Sequence, residues 1–561
     1  MTGFAEARAI LLAHRTDYDA AVNNFRWPDV SDFNWATDWF DGHLATNPES
    51  AGRDALLIVD GEGQISQRAT FSEMRTASDR TTRYLLSLGI GRGDRILLLL
   101  GNAMPLWEIM LAALKIGAVI VPATPMLTGE ELLDRLERGK IKLVITSSDQ
   151  TEKFDAFGNM DMQRVSIDGK SSGWRDYSEA ASFKNGEKPV ISEGDPDDAF
   201  LLYFTSGTTA KPKLVMHSRS SYPVGSLSTM YWLGLQPGDV HLNISSPGWA
   251  KHAWSSMFAP WNAGATIMAL NQAKFSPRGL LDILANHGVN TLCAPPTVWR
   301  MIVQEDISTP PPALRELCSA GEPLNAEIID CIEQAWSLTI RDGYGQTETT
   351  AQIGNTPGQP VAAGTMGRPL PGYRLVLRDA DGHSVTEGEI CVQTTDERPL
   401  GLMRGYLTAD GSLEGIGEEY YRTGDVAFMD DKGQFTFVGR SDDVFKSSDY
   451  RISPFELESA LTEHPAIVEA AVVPAPDDLR LSIPKAYVIL TAESQPDEDT
   501  AKSIFAHLTS RLAPYKRIRR IEFVEQLPKT ISGKIRRVQL RRQEVESARE
   551  KRPRPGEFLE R

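Results

Sequence analysis

One run, Thr205-Ser206-Gly207-Thr208-Thr209-Ala210-Lys211-Pro212-Lys213, concentrates the residue types that bind phosphate. Glycine and small hydroxyl residues let backbone N–H and side-chain O–H groups approach anionic oxygens closely. Lys211 and Lys213 add positive charge. The apolar run AFLLYF precedes the loop and LVMH follows it, so the loop joins two strands rather than opening a helix. The G-x-x-x-x-G-K-[ST] spacing of a Walker A loop is absent. A plain Ser/Thr/Gly surface turn has the same composition, so the assignment depends on partners elsewhere in the chain.

Four further stations supply them. Asp342-Gly343-Tyr344-Gly345-Gln346-Thr347-Glu348 combines a ring that can stack on a purine, a hydroxyl for a phosphate, and a carboxylate for a hard cation. Tyr421-Arg422-Thr423-Gly424-Asp425 offers a carboxylate that can accept from two vicinal hydroxyls. Arg440 follows, always charged and forked. Near the end, Leu527-Pro528-Lys529-Thr530-Ile531-Ser532-Gly533-Lys534-Ile535-Arg536 places a lysine between a glycine and a basic stretch. Gly321-Glu322-Pro323, after the apolar run ending at Ala320, is weaker and by itself reads as a turn.

These stations, in this order, resemble the adenylate-forming superfamily of acyl-CoA synthetases, adenylation domains and luciferases, from about residue 30 to 540. The resemblance implies ATP, Mg²⁺ and coenzyme A as reactants. It implies that Thr205, Ser206, Gly207, Thr208, Thr209 and Lys213 hold phosphate, with Thr208 counted among the catalytic groups. Gly321, Glu322, Pro323, Asp342, Gly343 and Tyr344 are implied at the adenine, Thr347 at the α-phosphate and Glu348 at the metal. Asp425 and Arg440 are implied at the ribose, Asp442 as a hinge, and Lys534 as the catalytic lysine. Lys446 and Arg451 are implied on a second face of a small domain that rotates between the two half-reactions. Ala210 and Asp449 stand where the family usually has glycine. The first bears on pyrophosphate handling, the second on the thiol tunnel.

Within that superfamily the chain most resembles medium-chain acyl-CoA synthetases. Acetate-specific relatives carry Trp where this chain has Gly345, which implies an acid larger than acetate. Trp249 and His252 fall on the segment that lines the acyl pocket in the family. No carboxylate or guanidinium in that segment demands a charged tail, so short-to-medium aliphatic, thioether-bearing and small aromatic acids all fit. Two other functions share these residues: a stand-alone adenylation enzyme loading a carrier protein, and a non-catalytic nucleotide-binding homologue. The chain ends at 561, which leaves no expected carrier module. A luciferase-like oxygenase would share the first step.

The elements that must position these groups read as α/β. Residues 95–100, 106–116 and 118–122 have the apolar run, helix and apolar run of a βαβ unit. Runs at 142–148, 199–204, 265–270 and 290–296 extend the alternation and predict mostly parallel strands. Residues 365–440 are turn-rich and predict a β-rich subdomain, with Asp431-Lys432-Gly433 as a hairpin turn. From Ser441 a small α/β domain is expected, ending in an Arg- and Glu-dense stretch from Val538 that reads as a solvated tail. The expected division is 1–440, a large domain of layered α/β subdomains plus the β-rich one, and 441–561, a small mobile domain.

Bulk properties narrow the partners. With 75 acidic against 59 basic residues and a net charge of −16, the chain lacks the positive balance of a nucleic-acid binder. Cys293, Cys318, Cys331 and Cys391 show no metal or disulfide spacing. The N-terminus lacks a signal-peptide core and the most apolar region is interrupted by Asn102, Pro105, Glu108 and Lys115, so no membrane span is expected. The expected location is the cytoplasm, and a homodimer is an open option.

Overall fold

The structure is a computed structural model. It describes residues 3–158, 160–183, 194–205, 212–272, 274–322, 324–447, 450–477, 481–529, 534–550 and 556–560. The chain packs as two compact units. The first comprises Met1–Leu375 with Val392–Tyr421, the second Val376–Cys391 with Arg422–Arg561. Packing thus groups Val376–Cys391 and Arg422–Arg440 with the C-terminal residues, where the sequence reading sets a domain boundary at 440/441.

The first unit contains two nine-stranded sheets among the described residues. The βαβ unit lies in one of them. Strands Arg95–Leu99 and Val119–Ala123 are parallel, with Arg95 opposite Val119. The helix between them spans Met104–Ile116. It starts two residues before the sequence-based position because Pro105 fits the first turn, where its missing N–H costs nothing. It stops at Gly117, which takes φ 72 and caps it. In the same sheet Ala199–Thr205 pairs with Lys213–Ser218, antiparallel, with Thr205 opposite Lys213. The hydroxyl-rich loop therefore closes a strand pair, as expected.

The other sheet holds Ile340–Gly345, parallel to Glu316–Ala320 on one side and antiparallel to Ala351–Gly354 on the other. Gly343 and Gly354 face each other across that last pairing. A Cβ on either would lie 2.3 Å from the Trp232 indole. The buried ring packs flat across two residues that have no side chains, which is why this strand reads Asp-Gly-Tyr.

Tyr420–Met429, which enters the second unit at Arg422, and Phe435–Arg440 form the expected hairpin. Asp430 accepts from the backbone N–H of Lys432 and Gln434, and Gly433 takes φ 75. A second four-stranded sheet follows, built from Ile467–Asp477, Leu481–Leu490, Arg520–Phe523 and Glu557–Leu559.

The C-terminal stretch corrects the sequence reading. It is not a solvated tail: Arg537–Glu550 is a helix whose Leu540 and Glu544 are buried, and Glu557–Leu559 adds a strand to the sheet. The cause is Lys485. Its side chain is 0% exposed, with Glu522 at 2.6 Å, Glu544 at 2.9 Å and Glu557 at 2.8 Å. Charge density reads as solvation in sequence, yet here two of the tail's glutamates neutralise one buried ammonium. Removing that lysine would leave buried carboxylates unpaired.

The cysteines are free, three of them buried. No helix among the described residues is long and apolar enough to cross a membrane.

Candidate active site

The foot of the hydroxyl-rich loop is held at both ends by one arginine. Arg138 donates from Nη2 to the Pro212 carbonyl at 2.8 Å, and its guanidinium lies 5.5 Å from the Phe204 ring centroid. Thr205 and Lys213 end the two strands. Ser206, Gly207, Thr208, Thr209, Ala210 and Lys211 lie outside the described residues, as do Pro323 and Asp449.

Lys213 leads to the carboxylate. Its ammonium stands 4.4 Å from the Tyr406 ring centroid, a cation–π contact. The Tyr406 hydroxyl donates to Glu348 Oε1 at 2.9 Å. Backbone contacts fix where Glu348 points. The Thr347 carbonyl accepts from Tyr222 Oη at 2.6 Å and from His217 Nε2 at 2.7 Å, and the Glu348 carbonyl accepts from Met403 N at 2.7 Å. Burial pushes the His217 imidazole down to about 3, so it is neutral. Its Nε2–H donates to Thr347 while Nδ1 accepts from Ser221 Oγ at 2.9 Å. Tyr421 donates to Gln346 Oε1 at 2.9 Å and braces the same turn. Tyr344, Thr347 and Glu348 are thus presented half-buried on a rigid turn.

Asp342 lies on the strand Ile340–Gly345 that leads into the turn. Burial pushes its carboxyl up to about 8, against the lowering effect of the Gly343 N–H, which donates to Oδ1 at 3.0 Å. In the unfolded chain the same carboxyl ionises at about 4. Between about pH 4 and pH 8 the folded state therefore holds the extra proton, and stability falls as pH rises through that window. Asp342→Asn keeps the acceptor without the proton. We expect the variant's melting temperature to lose this downward trend between pH 5 and pH 8 relative to the parent; an unchanged trend would point to other groups.

Gly345 sits at a close backbone approach. A Cβ there would stand 2.5 Å from the Thr350 carbonyl oxygen and 3.0 Å from the Ala351 Cα, because the pairing shifts register between Tyr344 and Gly345. The glycine permits this irregular backbone approach. A Trp at this position needs the Thr350–Ala351 backbone to move first. We expect Gly345→Ala to destabilise the protein by about 1–3 kcal/mol, read as a lower denaturation midpoint with unchanged slope.

The acyl-pocket segment divides. Trp254 packs on Trp232, with ring centroids 6.3 Å apart. Trp249 is half-buried and does not line the adjacent cavity. His252 does line it. Its Nε2 donates to Asn102 Oδ1 at 2.9 Å, and burial pushes the ring down to about 3. Gly321 takes φ 113 after the strand ending at Ala320, and Glu322 lies 3.6 Å from Arg300.

The second unit carries the other candidates. Asp425 is buried and accepts from Arg440 Nη1 at 3.1 Å. Its N–H donates to Thr423 Oγ1 at 3.1 Å, and that hydroxyl donates to the Ile390 carbonyl. Arg440 also lies 3.6 Å from Asp442. The Asp442 carbonyl accepts from Arg541, which pairs with Asp443 at 3.0 Å. Burial raises the Asp443 carboxyl although Arg537 and Arg541 lower it. Lys446 pairs in register with Arg451 across a short hairpin. Lys534 is exposed, between the bridged residues Lys529 and Ile535 and next to the latter. It precedes the helix that Arg537 anchors to Glu458 by two hydrogen bonds, at 3.0 and 2.5 Å.

Tyr406, Tyr222 and His217 were not singled out by sequence reasoning. Nothing local marks Tyr406, whose partner Glu348 is 58 residues away. Tyr421 and His217 lay inside quoted motifs but had no roles.

Residues 45–407 match the AMP-binding enzyme family, and 456–534 its C-terminal domain. The chain is 42% identical to 4-hydroxybutyrate–CoA ligase 1 of Metallosphaera sedula, over 92% of each chain. It is 34% identical to the mitochondrial acyl-coenzyme A synthetase ACSM3 of Homo sapiens, over 96% of each. Among solved structures, the Brucella canis acyl-CoA synthetase superposes with a TM-score of 0.70 at 31% identity, over 98% of this chain and 100% of that one. The anthranilate CoA ligase AuaEII with anthranoyl-AMP gives 0.82 at 26%, over 92% and 98%.

Proposed function

This chain belongs to the AMP-binding enzyme family and is an acid–thiol ligase, an acyl-CoA synthetase; from that premise we propose that it couples an acid larger than acetate to coenzyme A through an acyl-adenylate, with Glu348, Asp425 and Lys534 as the principal groups. The observation that carries the proposal is the array Lys213–Tyr406–Glu348 beside the turn that holds Tyr344 and Thr347. It puts a cation, a polarised hydroxyl and a carboxylate in sequence at the end of the strand pair that carries the hydroxyl-rich loop.

The acid's carboxylate oxygen attacks the α-phosphorus of ATP, the bond to the bridging oxygen breaks, and pyrophosphate leaves. Two anions must approach, so the catalysis is mainly charge neutralisation and positioning. Loop donors and Lys213 act on the phosphates, and Tyr344 stacks on adenine. Asp425 accepts from the ribose hydroxyls. Its carboxylate is already oriented by Arg440. Lys534 bridges the acid's carboxylate and the α-phosphate. The oxygen donors of Glu348 and its neighbouring hydroxyls fit a hard divalent cation such as Mg²⁺, which Glu348 would hold. When bound, it supplies positive charge to the phosphates.

In the second step the thiol of coenzyme A attacks the acyl carbonyl and AMP leaves with the electron pair of the broken C–O bond. A rotation of residues 441–561 about Asp442 exchanges Lys534 for a face carrying Lys446 and Arg451. In the conformation described, Arg541 holds the Asp442 carbonyl, so this contact must break for the hinge to turn. The cytoplasm is the proposed location.

Relatives named for a hydroxy acid and for aromatic acids support an acid larger than acetate. Pyrophosphate release over straight-chain, branched, sulfur-containing and aromatic acids, with coenzyme A or a carrier protein as acceptor, tests the reading. Release with several acids larger than acetate, and thioester only with coenzyme A, is expected. Transfer to the carrier alone, or no release with any acid, overturns it.

A further inference from the structure

The helix Arg537–Glu550 begins three residues after Lys534, so its seat governs where the chain presents that ammonium. A helix packed on a core usually turns an apolar stripe inward. This one, RVQLRRQEVESARE, does not. Leu540 and Glu544 are its buried residues among those described, and Val545 is 43% exposed. Arg537, Arg541 and Glu544 follow at spacings of four and three, which places them on one face beside Leu540. Each holds a different part of the second unit: Arg537 pairs with Glu458, Arg541 with Asp443, and Glu544 with Lys485.

Lys485 is the deepest of these partners. Its side chain is 0% exposed, against 9% for Glu458 and 13% for Asp443. It lies in the strand Leu481–Leu490, between Val473 of one neighbouring strand and Arg520 of the other. The three N–H donors of an ammonium meet carboxylates from three elements: Glu522 from a strand, Glu544 from the helix and Glu557 from the last strand. The Tyr487 hydroxyl also donates to Glu544 Oε1, and Arg520 stands 4.0 Å from Glu557. Apolar contact is non-directional, whereas a hydrogen bond weakens steeply with distance and angle.

Ile535 and Arg536 alone separate Lys534 from the helix. Both are already committed. Ile535 bridges to Lys529, and the Arg536 N–H donates to the Pro528 carbonyl at 2.8 Å. Little slack remains, so a shift of the helix is passed on to Lys534.

We propose that Lys485 and Glu544 are positioning residues for adenylate formation: their buried ion cluster gives the helix a single register and so fixes where Lys534 is presented. The proposal rests on the role of Lys534 stated above and deepens it. An apolar seat could hold the helix as firmly, but it would let the helix slide and turn. A misplacement of about 1 Å, caused by a change far from the chemistry, can cost about a hundredfold in rate. The thioester step draws nothing from Lys534 and so does not depend on this register.

The test compares full-length parent, Glu544→Leu and Glu544→Gln, each with Lys534 intact and with Lys534→Ala. Leucine approximates the volume and leaves Lys485 paired with Glu522 and Glu557; glutamine keeps hydrogen bonding and removes one charge. Adenylate formation, and thioester formation from preformed acyl-adenylate, are timed separately. The acid is the one the parent turns over fastest in the panel above, hexanoate and benzoate included. Glu544→Leu is expected to lower kcat for adenylate formation roughly ten- to a hundredfold, and Glu544→Gln by less. Thioester formation should stay near the parent's rate in both. With Lys534→Ala already present, the Glu544 substitutions should cost nothing further, because the group they misplace is gone. A merely structural residue would slow both half-reactions together and would cost the same with or without Lys534. Unchanged adenylate formation in Glu544→Leu, equal losses in both half-reactions, or an undiminished loss beside Lys534→Ala overturns the proposal. If Glu544→Leu does not fold, Glu544→Gln is read by the same criteria. Adenylate formation that survives Lys534→Ala overturns the role of Lys534 and the inference with it, and no turnover of any panel acid by the parent overturns the synthetase reading itself.

Discussion

Replacing Lys534 with alanine is expected to lower adenylate formation by about 10²–10³-fold, the usual cost of losing one preorganised donor at a developing charge. Conversion of preformed acyl-adenylate to thioester should stay near its original rate. The asymmetry follows from the chemistry. In the first step an anionic acid meets the α-phosphate, and the ammonium offsets their repulsion. In the second a thiol attacks a neutral acyl carbonyl, which has no such repulsion to relieve. The effect should not arise through stability. Lys534 is exposed, and described residues on both sides of it are held. Before it, Lys529 bridges to Ile535 and pairs with Glu469 at 2.8 Å. After it, Arg537 is clamped on Glu458, and Glu544 on the buried Lys485. Measuring the two half-reactions separately checks this. Equal losses in both would argue that Lys534 serves only to position the nucleotide.

Glu348→Gln is expected to lower the adenylation rate by a similar factor, about 10²–10³, and to raise the Mg²⁺ concentration needed for half-maximal rate. Glutamine keeps the acceptor for the Tyr406 hydroxyl but removes the charge that a hard cation requires. The backbone of the turn should be unaffected, since the Thr347 and Glu348 carbonyls are held by Tyr222, His217 and Met403 and not by the side chain that changes. A Mg²⁺ titration of wild type and variant separates the contributions. An unchanged half-saturating concentration with a reduced rate would move Glu348 from metal ligand to simple electrostatic support.

Local pattern made much of this architecture readable in advance. The βαβ unit at residues 95–123 was visible because buried parallel strands are continuous apolar runs, and Pro105 and Gly117 punctuate the helix between them. The strand–loop–strand at 199–218 was visible for the same reason. What sequence did not disclose are contacts between distant residues. The indole of Trp232 across Gly343 and Gly354, and Tyr406 on Glu348, join segments that carry no mark of each other. The terminal helix and strand were misread because charged residues usually mean solvent, whereas Lys485 draws Glu544 and Glu557 into the interior. At Gly345 the close approach of the Thr350–Ala351 backbone, which admits no Cβ without movement, is likewise a contact that the local sequence does not mark.

The buried histidines bear on pH dependence in a simple way. His217 and His252 are both neutral because burial pushes each down to about 3. Neither changes charge across the physiological range, so neither is the source of an activity transition near neutrality.

The central claim is that the acid's own oxygen becomes part of AMP. Incubating the enzyme with ATP, coenzyme A and an acid whose carboxylate carries ¹⁸O, then weighing the AMP by mass spectrometry, reads it directly. An acyl-adenylate route predicts one labelled oxygen in the AMP phosphoryl group for each thioester formed. Unlabelled AMP, or label found in inorganic phosphate, would contradict the account.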